Sequence, residues 1–409
     1  MSQQASRPSA ATTPLSKGLL LMMALSAGMT VANLYYNQPL LADIGRTFGV
    51  GPDAVGFIST FTQIGYALGM FLFVPLGDIK ERKGLITILL ALVCVSLIGV
   101  ATAQNLPWIY AASFAVGITT IVPQILVPLA ATLAAPGEQG KAVGTVMSGL
   151  LLGILLTRTV SGLIGGTWGW RLMYALAAAA MLALLVLLRI KLPSNRPTTE
   201  LRYGQLLGSM GSLIKRYATL RESALIGGAN FAAFSIFWTA LSFYLEGEPY
   251  RYSSQIAGLF GLVGAAGALG APIVGRMADR LRTEWIIGVL LLLNLLSYLL
   301  FGLWGGYLWA LIAGVILLDL GVQGTQVANM ARIYALEPPA RSRLNTVQMV
   351  TTFLGGAIGS SLGSFAWRHW GWRGVCLAGG ATVLFGVIVW ALRRLRREGI
   401  GAQARPTNP

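Results

Sequence analysis

The sequence predicts an all-α integral membrane protein, with twelve transmembrane helices arranged as two pseudo-symmetric six-helix bundles. Three observations predict it. Of 409 residues, 55% are apolar and 11% charged, where a soluble domain carries about 25% charged. Apolar runs recur twelve times, each near the roughly 20 residues needed to cross about 30 Å of hydrocarbon. Two sequence markers also repeat in the second half at nearly one offset.

Residues 1–17 are rich in Ser, Ala, Thr and Gln and read as a disordered tail. The first apolar run has no small-residue cleavage pattern and is followed by many more, so it is a span rather than a leader. The first six spans fall near 18–41, 54–76, 85–103, 107–133, 142–166 and 170–191. In the fourth, Pro123 and Pro128 mark a bend. A polar, Pro-containing stretch, 192–222, follows the sixth span and reads as a linker. The remaining spans fall near 223–245, 254–277, 285–304, 307–331, 345–367 and 372–392. The eighth carries glycines at 258, 261, 264, 267 and 270; the eleventh has them at 355, 359 and 363. Small faces of this kind suit close packing between the two halves. The domains are therefore an N-terminal bundle over 18–191, the linker, a C-terminal bundle over 223–395, and a second tail over 396–409.

The net charge of +16 forms no single basic face, so it gives no reason to expect a nucleic-acid partner. Twenty-four of the thirty Lys and Arg lie on the side that holds both termini if the spans alternate, which predicts cytoplasmic termini. Trp108, Trp168, Trp170, Trp304, Trp309, Trp367, Trp370 and Trp372 fall at the opposite ends of spans, as an interfacial belt should. Two cysteines and one histidine offer neither a disulfide framework nor a metal-ligand set, so no cofactor is expected.

WGWR at 168–171 recurs at 370–373, and Asp78 after the second span corresponds to Asp279 after the eighth. Offsets of 202 and 201 argue for a parallel duplication of a six-helix unit.

These features resemble the major facilitator superfamily over 18–395. The family's loop signature after the second span matches Leu76, Asp78, Arg82 and Lys83 in the stretch VPLGDIKERK at 74–83, with departures at Val74, Ile79 and Glu81. The second copy, GRMADRLR at 275–282, keeps Gly275, Ala278, Asp279 and Arg280. The resemblance implies a cytoplasmic gate in which the loop carboxylate faces a helix terminus across the two halves. A helix N-terminus favours negative charge, and Arg or Lys supply charge-assisted partners. Within the superfamily, NLYYNQPLL at 33–41 and the Gly-rich fifth span are similar to the 12-span drug:proton antiporters. That branch's fifth-span signature falls on Ser148, Thr157, Ser161, Gly162, Gly165 and Gly166, where the last two glycines match; its fourth-span Arg position is Ser113. The implied activity is proton-coupled efflux of small amphipathic compounds by alternating access. The alternative is a proton symporter importing a small organic anion or sugar. A bilayer, a small-molecule substrate and protons are the implied partners, in a bacterial-type inner membrane, with one chain sufficient.

Two ionisable residues lie clearly inside spans, Arg158 in the fifth and Asp319 in the tenth. A charge at the bilayer centre costs about 2.5–3.5 kcal/mol on insertion scales, so both read as functional. Asp319 is the candidate proton-coupling acid, with Arg158 as its switchable partner or as an anion-binding residue. The competing reading is a static pair, or an Asp319 satisfied by Gln323 and Asn329. Asp43 is a further coupling candidate, although Arg46 three residues on favours a surface pair. Helical spacing sketches a cavity wall from Asn33, Tyr36 and Asn37 on the first span, Gln63 and Tyr66 on the second, and Gln124 on the fourth. Asn230, Phe234 and Trp238 on the seventh span and Gln323 and Gln326 on the tenth complete it. Helix–helix hydrogen bonding is the alternative role for each of these residues. No Gly-x-x-x-x-Gly-Lys-Ser/Thr loop is present, which points to an ion gradient as the energy source. One Asp and one Arg at membrane depth do not make an intramembrane enzyme.

Overall fold

The computed structural model describes residues 16–135, 137–195, 202–270, 273–274, 277, 282–337 and 340–403. Among them there are helices, turns and no strand. The first half comprises α1 (Lys17–Ala32), α2 (Leu41–Phe48), α3 (Pro52–Phe73), α4 (Arg82–Ala101), α5 (Leu106–Thr119), α6 (Val122–Leu133), α7 (Gln139–Trp168) and α8 (Trp170–Lys191). A connecting helix, α9 (Tyr203–Arg216), leads to the second half. That half holds α10 (Ala218–Glu246), α11 (Ser254–Ala268), α12 (Thr283–Trp304), α13 (Leu308–Tyr334) and α14 (Arg341–Gln403). Nine helical stretches among the described residues are long and apolar enough to cross a membrane. One of them, Arg341–Leu395, has 55 residues, room for two crossings, and it turns at Gly371. Shorter apolar α1 and α11 account for the first and eighth spans.

The first and fourth spans are broken, and proline is at each of these breaks. The first leaves α-helical hydrogen bonding after Ala32: Leu34 and Tyr35 bond three residues back to Val31 and Ala32, and Pro39 sits in a short 3₁₀ turn before α2 resumes. Proline has no N–H and cannot continue the i→i−4 ladder. In the fourth span, α5 ends at Thr119 and α6 restarts with Pro123 in its first turn, where a missing N–H costs nothing.

The two halves repeat the same packing. In the first, a Cβ on Gly28 would strike the Gly149 carbonyl, and one on Gly65 or Gly69 would strike the backbone of α5. In the second, Gly355 and Gly359 are pressed against Gly228 and Ala232 of α10, and Gly267 against Ile316 of α13. The first–fifth and second–fourth span contacts thus recur as seventh–eleventh and eighth–tenth. Side chains smaller than a methyl let these backbones touch, which is how helices gain dispersion energy in lipid. The stripe at 355, 359 and 363 therefore lies inside the second half, against Gly228, Ala232 and Ile236, and not between the halves as its spacing suggested.

Between the halves, α3 packs on the first arm of α14 and α7 packs on α11. Gly56 meets Ser364, and Gly162 meets Gly258 backbone to backbone. Residues 202–222 are more than a connection. Leu206, Met210 and Leu213 of α9 are buried, and Met210 and Leu213 share a cluster with Ile333, Leu344 and Val347. Tyr203 donates to the Leu72 carbonyl at 2.7 Å, so α9 touches both halves. Helix α10 starts at Ala218, which puts Glu222 inside the bundle.

The duplicated WGWR has a backbone reason. Gly169 has φ 91° and ψ 148°, and Gly371 has φ 58° and ψ −150°. Both lie in or close to a region that only glycine occupies readily. Trp168 and Trp370 point outward, but Trp170 is buried and donates to Thr47 Oγ1 at 3.0 Å. Trp170 thus leaves the interfacial belt for the core. A Cβ at either glycine meets nothing within 4 Å, so the cost of adding one is conformational. Gly169→Ala and Gly371→Ala are each expected to destabilise by about 1–3 kcal/mol, read as a lower apparent Tm in detergent. Gly306→Ala, where the same open space meets no positive φ, should leave Tm in place; equal Tm values for all three would exclude backbone strain as the cause.

Candidate functional site

The broken first span delivers Tyr35 and Gln38 to the centre of the bundle, where α7 supplies Arg158, α10 supplies Phe234 and Trp238, α11 supplies Gly264 and α13 supplies Asp319. Arg158 and Asp319 are each 1% exposed. The Arg158 guanidinium lies 3.9 Å from the centroid of the Trp238 ring, 5.1 Å from that of Tyr35 and 5.2 Å from that of Phe234. Its Nε donates to Gln38 Oε1 at 2.7 Å, and its Nη2 has no partner. Desolvated cation–π contacts are worth about 2 kcal/mol or more, so three rings help to hold a cation that water cannot reach.

Asp319 is not paired with Arg158: no ion pair within 4.0 Å joins them. Asp319 Oδ2 has no hydrogen-bond partner. The Trp238 indole lies beside the Asp319 carboxyl, with its N–H outside normal hydrogen-bond geometry. A Cβ built on Gly264 would stand 3.0 Å from Oδ2 and 3.1 Å from Trp238 Cζ2, so the missing side chain lets α11 close on the carboxyl and the indole at this point. Asn329, one candidate to satisfy Asp319, donates instead to the Ser223 carbonyl at 3.5 Å.

The other wall candidates divide into three groups. Gln63 and Tyr66 bridge the halves: Gln63 donates to Ser360 Oγ at 2.9 Å, and Tyr66 meets Phe353 edge-on with ring centroids 4.4 Å apart. Gln124 donates to the Tyr66 hydroxyl at 3.2 Å, and Gln326 donates to Met349 Sδ at 3.2 Å. These two and Gln323 are half-buried. Asn33, Tyr36, Asn37 and Asn230 serve contacts within one half. Asn33 reaches Met181, Tyr36 packs on Tyr174, and Asn37 bonds Thr62 and Ser59. Asn230 accepts from Asn294 at 2.5 Å, on the side of α10 facing α12. Gln38, which completes the Arg158 site, was not singled out from the sequence. Its one signal was its place beside Pro39 in a mid-membrane break, where freed backbone reaches a cavity.

The end of the bundle remote from the termini is joined across the halves by ions. Arg46 bridges Asp43 of its own helix and Glu246 of α10, and Arg368 pairs with Asp53. Beneath them Thr159 donates to the Gly258 carbonyl at 3.0 Å, and Gln255 to Thr167 at 3.2 Å. Asp43 thus belongs to this ion cluster with Arg46 and Glu246. At the opposite end, Asp78 stands 3.7 Å from Arg82 and accepts from Ser342 in the first turn of α14 at 3.5 Å. Arg82 also donates to the Gly77 carbonyl at 3.1 Å, and Lys83 is half-buried at the start of α4. Gly275, Asp279 and Arg280 lie outside the described residues. A buried cluster not anticipated from the sequence ties three spans of the second half there: Glu222 takes Arg332 at 2.9 Å and Arg393 at 3.6 Å.

Two six-helix halves around one buried polar centre, with polar contacts across the halves at both ends, define a multi-pass membrane protein of the two-bundle transporter class. The Major Facilitator Superfamily profile matches residues 21–281 and 223–408. An uncharacterized transporter, YgaY, of Escherichia coli O157:H7 is 45% identical over 92% of this chain and 95% of its own length. A probable sugar efflux transporter of Pasteurella multocida is 25% identical over 86% of each chain. The crystal structure of a bacterial homolog to the human lysosomal transporter Spinster superposes with a TM-score of 0.76 at 14% identity, covering 95% of this chain and 98% of that one. The chain belongs to the Major Facilitator Superfamily.

Exposed ion pairs contribute about 0.2–1 kcal/mol each, so the two that seal the remote end should matter together. In a background without Cys94 and Cys376, Ser361→Cys places a thiol beside Thr60 at the α3–α14 contact. Arg46→Ala with Arg368→Ala is expected to speed its reaction with a polar maleimide by at least about twofold. An unchanged rate would assign the seal to the glycine and serine crossings alone.

Proposed function

We propose that this chain is a proton-coupled secondary transporter that exports small amphipathic compounds by alternating access, in a bacterial-type inner membrane with both termini cytoplasmic. The observation that carries the reading is Asp319: a carboxyl in the dry centre between the halves, with one oxygen unpartnered and Arg158 close by but unpaired. Desolvation and a nearby cation act on an ionised carboxyl in opposite senses. Rocking the halves changes both the hydration of Asp319 and its separation from Arg158, which lets one residue take a proton on one side and release it on the other. Tyr35, Phe234 and Trp238 add aromatic surface suited to amphipathic ligands.

Both gates fit this cycle. With the Lys- and Arg-rich end in the cytoplasm, the Arg46–Glu246 and Arg368–Asp53 pairs close the outer face, and Asp78 with Ser342 belongs to the inner one. Efflux is supported by the likeness to the antiporter branch and by the Pasteurella relative, a probable sugar efflux transporter. The unpaired Nη2 of Arg158 favours a second reading, a proton symporter that takes up a small organic anion.

In energised everted vesicles carrying a pH-sensitive dye, a panel of amphipathic compounds is expected to trigger proton release from the lumen with the wild type. Asp319→Asn should abolish that signal, and Glu138→Gln, an exposed acid before α7, should keep it. A signal that survives Asp319→Asn would overturn the assignment of coupling to Asp319; proton release that requires an organic anion preloaded in the lumen would favour the symporter.

A further inference from the structure

The charges at the centre are opposite, buried and unpaired, and both lie against the Trp238 indole. Stacking on Trp238 occupies the face of the Arg158 guanidinium and leaves its in-plane N–H groups available. Gln38 takes Nε, and Nη2 is left without a partner. Beside the same indole, where Gly264 packs against both groups, Asp319 Oδ2 is also without a partner. Arg158 is thus compensated only in part, by Gln38 and the rings, and Asp319 has no cationic partner, so each keeps one buried polar atom open to a ligand.

Resting on the reading of this centre as the transport site, we propose that it is built for a small zwitterion. The ligand's carboxylate is taken by Arg158, its ammonium by Asp319, and its apolar part lies against Phe234 and Trp238. Charge balance favours this class of ligand. A zwitterion compensates both buried charges and adds no net charge to the low-dielectric centre. A simple cation satisfies Asp319 and leaves Arg158 alone; a simple anion does the reverse. The planar fork of Arg158 suits the two oxygens of a carboxylate, and Asp319, as an acceptor, suits the N–H groups of an ammonium. Amino acids and close derivatives are the chemical class that carries both ends on one small frame.

The test uses purified full-length protein in detergent and binding read by calorimetry. The probes are glycine, leucine, phenylalanine and tryptophan, each with its amine-only and carboxylate-only counterpart, such as phenethylamine and hydrocinnamate for phenylalanine. At least one amino acid should bind about tenfold or more tightly than either counterpart, the ratio set by about 1.4 kcal/mol of lost compensation. Arg158→Gln should erase the advantage over the amine alone, and Asp319→Asn the advantage over the carboxylate alone. A single-ended probe that equals its amino acid in the wild type, or no binding by any amino acid, overturns the proposal. So does an order of affinities unchanged in both variants. The wild-type ranking decides the matter even if a variant fails to fold. Proton release in the vesicle assay triggered only by singly charged or neutral compounds would leave the transport reading standing and remove this one.

Discussion

A guanidinium at membrane depth needs either a carboxylate or a substitute for water, and in this chain Arg158 has the substitute. Three aromatic rings and one amide surround it. Each comes from an element whose shape serves that end. Tyr35 and Gln38 arrive on the non-α segment before Pro39, and Phe234 and Trp238 are one turn apart on α10. A first span that stayed α-helical would turn these residues elsewhere. The break in the helix, the aromatic face of α10 and the unpaired state of Asp319 are thus consequences of burying one cation without its counter-ion.

Around that centre the architecture separates what must stay rigid from what must move. Within each half, glycines let backbones touch, as at Gly28 with Gly149 and at Gly228 with Gly355. Between the halves the contact combines a glycine crossing at Gly162 and Gly258 with hydroxyl bonds such as Thr60 with Ser361 and Gln63 with Ser360. Hydroxyl and amide partners exchange at modest cost because neighbouring groups or water replace them. Tight intra-half packing and exchangeable inter-half bonds are what a rocking pair of bundles requires.

Much of the fold was legible because its causes are local. Apolar length specifies a span, Pro123 specifies a break, and the repeated WGWR marks two turns that only glycine makes easily. The site was legible where chemistry is expensive: Arg158 and Asp319 stand out in any span because a charge there must be explained. It was less legible where the cost is small. Asn33, Asn37 and Asn230 share helix faces with cavity candidates, yet each found a partner inside its own half. A buried amide is satisfied equally well by a neighbouring helix or by a cavity, and spacing along one helix does not say which.

The sequence by itself determined the number and rough position of the spans, their duplication and the two charges that mark the centre. These follow from hydrophobic length, from motifs at a fixed offset and from the price of ionised groups in lipid. Only the tertiary structure decided that Arg158 is held by Gln38 and three rings instead of by Asp319. It also decided that Asp43 closes the remote end with Arg46 and Glu246, that Glu222 is buried with Arg332, and that the 355–359–363 stripe packs inwardly. All of these pairings join residues a hundred or more positions apart or choose one face of a helix over another. Such choices depend on how helices are rotated and crossed, and that is settled by the packing of whole surfaces rather than by any local run of residues.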